Sequence, residues 1–154
     1  MRRYLIVANQ TLGGDELVQL IGERAKAEPC EFFIVVPATP IMEMMPGIPA
    51  LPMMGVIPSM PASPERAREV ARHRLEAALA QLRALGARVE GQVGDSDPVH
   101  AVEAVLRGRQ FDEIIVSTLP KRLSQWLHQD LPHRLEHKTQ LPVTHIGVTK
   151  QASQ

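Results

Sequence analysis

The sequence predicts an α/β fold: a three-layer α/β/α sandwich around a five-stranded, mostly parallel sheet. Two observations carry this expectation. Short uninterrupted apolar runs such as YLIVA, FFIVV and EIIV have the composition of strands covered on both faces. Between them lie segments with helical apolar periodicity, joined by three short connections and one long one. The chain has 154 residues, 44% of them hydrophobic, enough for one domain with its own core. That domain is expected over residues 1–150, with a Pro/Met-rich insertion at 37–62.

Tyr4 to Ala8 reads as the first strand. Gly13-Gly14-Asp15-Glu16 opens a helix to Ala27, with Leu17, Leu20, Ile21 and Ala25 on one face and acids at its positive end. Phe32 to Val36 is the second strand, closed by Pro37. Ser63-Pro64 supplies an N-cap and first-turn pair for a long helix to Leu85, striped by Ala67, Val70, Ala71, Ala78, Leu82 and Leu85 and ended by Gly86. Arg88 to Val93 alternates polar and apolar residues, which predicts an edge strand. Asp97-Pro98 caps a helix carrying Ala101, Val102, Val105 and Leu106, stopped by Gly108. Glu113 to Val116, a helix from Leu123 to His137 and a strand from Val143 to Val148 complete the series.

The long connection, Pro37 to Ala62, holds seven of the 13 prolines and six of the seven methionines. It is too apolar for an ordinary solvated linker. Adaptable methionines and entropy-lowering prolines suit a lid or a subunit contact, and equally an insertion folded over the sheet edge. Residues 41–60 are long and nearly uncharged, yet four internal prolines argue against a membrane span.

Seventeen basic and seventeen acidic residues balance, so no net field draws the chain to nucleic acid or an anionic membrane. Only 3% of residues are aromatic, which further disfavours nucleic-acid stacking. The single cysteine, Cys30, excludes an intrachain disulfide and suits a reducing compartment. The apolar run after Arg2 and Arg3 is too short for a signal peptide, so a cytoplasmic protein is expected.

Asp112 to Pro132 is the most informative stretch, running from a strand through Ser-Thr-Leu-Pro-Lys-Arg into a helical pattern. In an open parallel sheet, ligands bind outside the carboxyl ends of the strands, where helix N-termini offer unpaired N–H groups. Three other patterns have simpler readings. His133-Arg134-Leu135-Glu136-His137 matches a zinc-binding H-x-x-E-H, but no acid follows Glu136 to complete the ligand set. No structural metal is therefore expected. Gly94-Asp95-Ser96-Asp97-Pro98 lacks the second glycine of a nucleophile elbow and reads as a capped turn. Trp126 and Leu127 read as core or dimer contacts.

A strand ending before a GG-opened helix, a Gly94-Asp95 turn, and DEIIVSTLP…LSQWL…LPHRL…LPVTHIGV together resemble the universal stress protein family. The resemblance implies a Rossmann-like sheet of order 3-2-1-4-5, of the adenine nucleotide alpha hydrolase-like kind, and a homodimer through the last strand. It also implies, for many members, ATP held between strands 1 and 4. The family's G-x2-G-x9-G-[S/T] loop departs here to Ser117, Pro120, Gln129 and Asp130, and a carboxylate at Asp130 repels phosphate. Gly13, Gly14, the hydroxyls of Ser117 and Thr118 and the cations Lys121 and Arg122 compensate. The resemblance and the loop chemistry together assign Ala8 and Asn9 to a ribose and the Val36 backbone to a base. They assign Gly13, Gly14, Ser117 and Thr118 to phosphates, with Lys121 or Arg122 neutralising charge.

The expected function is a regulatory or stress-response module binding ATP, another nucleotide or another phosphate-bearing ligand. The alternative is a dimeric scaffold without nucleotide, meeting a protein partner through its Pro/Met segment. An enzyme is not expected, since no catalytic constellation can be assembled.

Overall fold

The computed structural model describes residues 2–8, 12, 14–38, 64–118 and 130–147. Five strands, β1 (Arg2–Val7), β2 (Cys30–Pro37), β3 (Val89–Gly94), β4 (Glu113–Thr118) and β5 (Val143–Gly147), form one sheet in the order β3-β2-β1-β4-β5. Every pairing is parallel. The helices are α1 (Asp15–Ala27), α2 (Pro64–Ala84), α3 (Pro98–Leu106) and α4 (Leu131–Thr139).

Strand alternation divides the core into two layers. Tyr4, Ile6, Phe32, Ile34, Val36 and Ile115 pack under α1 and α2, which contribute Leu17, Ile21, Ala71, Leu75 and Leu82. Leu5, Val7, Phe33, Val35, Ile114 and Val116 pack under α3 and α4, with Val99, Val102, Leu131 and Leu135. The middle strands are apolar at successive positions because both of their faces are covered. β3 lies at an edge, as its alternation predicts, and only Val89 in it is buried.

The helix ends follow the expected chemistry in most places. Asp97 Oδ1 accepts from the Val99 backbone N–H at 2.9 Å, so the G-D-S-D-P segment is a capped turn. After α2, Gly86 N–H donates to the Arg83 carbonyl and Ala87 N–H to that of Leu82. This is a Schellman closure, and it requires the positive φ of 92° that glycine adopts without strain.

Three expectations are corrected. Ala25 is exposed, and Val18 packs against the α1 core instead. Leu85 is 64% exposed because it sits in the Schellman turn beyond the buried stripe, which Leu75 fills. The helix expected from Leu123 to His137 is not continuous: Asp130 has left-handed backbone (φ 58°, ψ 42°) and α4 starts at Leu131. Pro132 explains the break, since its ring is tolerated in a first turn and would clash in a helix interior. Residues 123–129, including Trp126 and Leu127, lie outside the described residues, as do 39–63 and Val148.

Candidate functional site

The centre of the sheet sets the site. Val7 of β1 is in register with Val116 of β4 and with Val35 of β2, so the carboxyl ends of these strands finish side by side. Ala8 continues β1, donating its N–H to the Val35 carbonyl at 3.4 Å. Ala38 caps β2 in the same manner by donating to the Gly94 carbonyl at 3.2 Å. Because β2 and β4 flank β1 and the chain departs from it toward α1, this is the topological switch point of the sheet.

Ala8, Val36 and Ser117 take the same face of the sheet at this end, and all three are buried. Ala8 and Val36 belong to the core layer under α1 and α2, and alternation from Ile115 directs Ser117 to the same face. Gly14 is the N-cap of α1, with extended backbone (φ −71°, ψ 152°) and no side-chain cap. The first N–H groups of α1 are therefore not satisfied by an N-cap side chain, and the partial positive charge of a helix N-terminus favours an anion. Of the residues expected here, Ala8, Gly14, Val36, Ser117 and Thr118 fall within the described residues. Asn9, Gly13, Lys121 and Arg122 lie outside them.

Ser117 and Thr118 are only 1% and 2% exposed, and they take opposite faces of the sheet. Thr118 turns toward the α3–α4 face, where its Oγ1 lies 2.8 Å from His145 Nε2. His145, in register with Val116, was not singled out by sequence reasoning. The available signal was a histidine inside the apolar closing strand PVTHIGV. Although His145 is exposed as a residue, desolvation of its ring pushes the pKa below the ordinary histidine value. The neutral ring can accept the Thr118 hydroxyl at Nε2 while carrying its proton on Nδ1.

A pH prediction follows from that direction. The unfolded chain binds the proton more readily, so the stability contributed here is complete above the unfolded histidine pKa of about 6.5 and is lost as pH falls through the lower folded value. An NMR titration of the imidazole carbons should place the His145 midpoint below that unfolded value. A midpoint above it would refute the assignment.

The H-x-x-E-H pattern is exposed on α4, where His133 Nδ1 pairs with Asp130 Oδ2 at 3.2 Å. Among the described residues no group of three or more His, Cys, Asp or Glu side chains could hold a metal ion. Likewise no helix among them is long and apolar enough to cross a membrane. Cys30 is buried, its thiol pushed up by burial and directed at the Arg24 carbonyl.

No protein-family model matches the sequence, and no curated relative matches it. Solved structures do. A universal stress protein from Archaeoglobus fulgidus aligns over 95% of this chain and 93% of its own, with TM-score 0.58 and 14% identity. A protein of the universal stress protein family from Burkholderia pseudomallei aligns over 94% of each chain, with TM-score 0.59 and 16% identity. A universal stress protein family protein from Arabidopsis thaliana, solved with AMP bound, aligns over 97% of this chain and 94% of its own, with TM-score 0.59 and 15% identity. With the same strand order and nearly complete coverage in each case, this chain has the universal stress protein fold.

Proposed function

We propose that this chain is a cytoplasmic regulatory module of the universal stress protein type, one domain over residues 1–150, that binds a nucleotide in the crevice between β1 and β4. The observation carrying this reading is the convergence of the β1 and β4 carboxyl ends on the side of α1, whose N-terminus has no side-chain cap. A fold neighbour with AMP bound supports the ligand class. In this reading Ala8 and Asn9 meet the ribose and the Val36 backbone meets the base. Gly13, Gly14, Ser117 and Thr118 surround phosphate, Thr118 through its backbone because its side chain is turned to His145, and Lys121 or Arg122 supplies the compensating charge. The reading assigns no catalytic residue and no structural metal. Two copies associate through β5, which is an edge strand with partly exposed Val143 and Ile146.

Native mass spectrometry of protein purified without added ligand, followed by AMP and ATP titration, tests this. A nucleotide mass, or saturable binding, is the expected outcome. The burial of Ser117 calls for a test substitution that adds no atoms, because a bulky one would overpack the core. Ser117→Ala, which removes only the hydroxyl, should weaken binding about tenfold. An empty dimer that binds neither nucleotide would instead favour a protein-association scaffold, with the Pro/Met segment at 37–62 as the place to seek its partner.

A further inference from the structure

A cavity of about 440 Å³ opens at the other end of the sheet, below the amino ends of β2 and β3 and beside the connection from α3 to β4. Its volume lies in the range of small-molecule sites. Four arginines line it, Arg3, Arg83, Arg88 and Arg109, against two acids, Glu31 and Glu90. Glu31 is shared by Arg3 at 3.5 Å and Arg88 at 3.8 Å, while Arg109 reaches Glu90 at 3.5 Å. Arg83 directs Nε and Nη2 to the Val89 carbonyl, a neutral partner, and forms no ion pair among the described residues. A neighbouring depression shares Arg3 and Arg109 and adds Arg107. Positive charge is thus in excess around a wall that also holds aromatic rings.

The Arg109 guanidinium lies 4.4 Å from the Phe33 ring centroid, and Phe111 stands 6.1 Å from Phe33 at a 53° tilt. A guanidinium laid on a ring keeps its in-plane N–H donors for an anion, and the ring fixes its orientation. Phe111, which is partly exposed, offers an apolar surface to the body of the same ligand. We propose that this cavity binds a small organic anion, a carboxylate or phosphate monoester carried on a flat apolar ring. The site is separate from the crevice and does not depend on the nucleotide reading.

The full-length protein titrated by calorimetry with naphthoate, naphthyl phosphate and uncharged naphthol tests the proposal. At least one anion should bind, at least about tenfold more tightly than naphthol, with an affinity that falls as salt rises. The tighter of the two anions identifies the headgroup. Arg109→Ala, at a half-exposed position, should cost about tenfold in anion affinity, and Arg109→Lys should recover only part of it. Arg88→Ala provides a second variant should Arg109→Ala fail to fold. Ser117→Ala, at the opposite end of the sheet, should leave the anion affinity unchanged. The proposal is overturned if neither anion binds, if naphthol binds as tightly, if the folded arginine variant binds like the parent, or if Ser117→Ala abolishes the signal.

Discussion

Alanine at Gly91 is expected to lower the unfolding free energy by about 3 kcal/mol, measured as a shift of the urea midpoint at constant slope. A Cβ built there would lie 2.6 Å from the Ile34 carbonyl oxygen and 2.7 Å from Leu75 Cδ1. The first contact is with backbone, and Ile34 is the register partner of Gly91 in the β2–β3 pairing, so it cannot withdraw without disturbing the pairing. Leu75 could turn aside only by giving up its place between α2 and the sheet. Gly22, in the middle of α1, is the control, because a Cβ there meets nothing within 4 Å. Gly22→Ala should be neutral or stabilising by about 0.5 to 1 kcal/mol through the higher helix propensity of alanine. Equal stability of the Gly91→Ala and parent proteins would mean that α2 does not approach β3 this closely.

Removing the carboxylate at Glu113 should cost about 3 kcal/mol near neutral pH. Its side chain is only 9% exposed and holds Arg24 Nη1 at 3.1 Å and Arg2 Nη2 at 3.4 Å, while the Thr144 hydroxyl donates to its other oxygen. Tyr4 lies beneath both guanidiniums, ring centroid 5.6 Å from Arg2 and 5.1 Å from Arg24. The carboxylate thus ties β1, α1 and β5 to the start of β4. Burial opposes ionisation of Glu113, but the Thr144 hydrogen bond, the contacts with Arg24 and the Arg2 hydrogen bond together hold its pKa below the ordinary glutamate value. A depressed folded pKa means that the stabilisation is complete above the unfolded glutamate pKa of about 4.3 and is lost as pH falls through the folded value. The difference between parent and Glu113→Ala in urea should therefore shrink as the pH drops below about 4. A difference that is constant down to strongly acidic pH would assign the loss to packing alone.

Periodicity made the layer architecture legible, because strands buried on both faces and amphipathic helices write their burial directly into local sequence. The Asp97 cap, the Gly86 stop and the β3 edge were equally local. Strand order came from the resemblance carried by the C-terminal third, and the structure bears it out. What local sequence hid were partnerships between distant residues. Glu113 read only as the first residue of a strand, since its partners sit at positions 2, 24 and 144. The arginines of the basal cavity, at positions 3, 83, 88 and 109, form no motif until the strand order gathers them at one end. His145 drew no notice because its Thr118 partner lies on the neighbouring strand. The break at Asp130 was visible in Pro132, but the apolar spacing of the surrounding residues favoured a continuous helix.

The central place of β1 bears on how the protein is made. β1 leaves the ribosome before the rest of this sheet; it pairs on one side with β2, close behind it, and on the other with β4, whose Glu113 aligns with Tyr4 across 109 residues of chain. Synthesis is vectorial, so β1, β2 and β3 can assemble while β4 is still unmade. During that interval one edge of β1 stands open, presenting the backbone groups of an apolar strand to any extended segment nearby. Non-local parallel pairing is intrinsically slow because loop closure precedes any gain from contact. A half-sheet with that edge open is prone to aggregate, and pairing of β4 closes the edge.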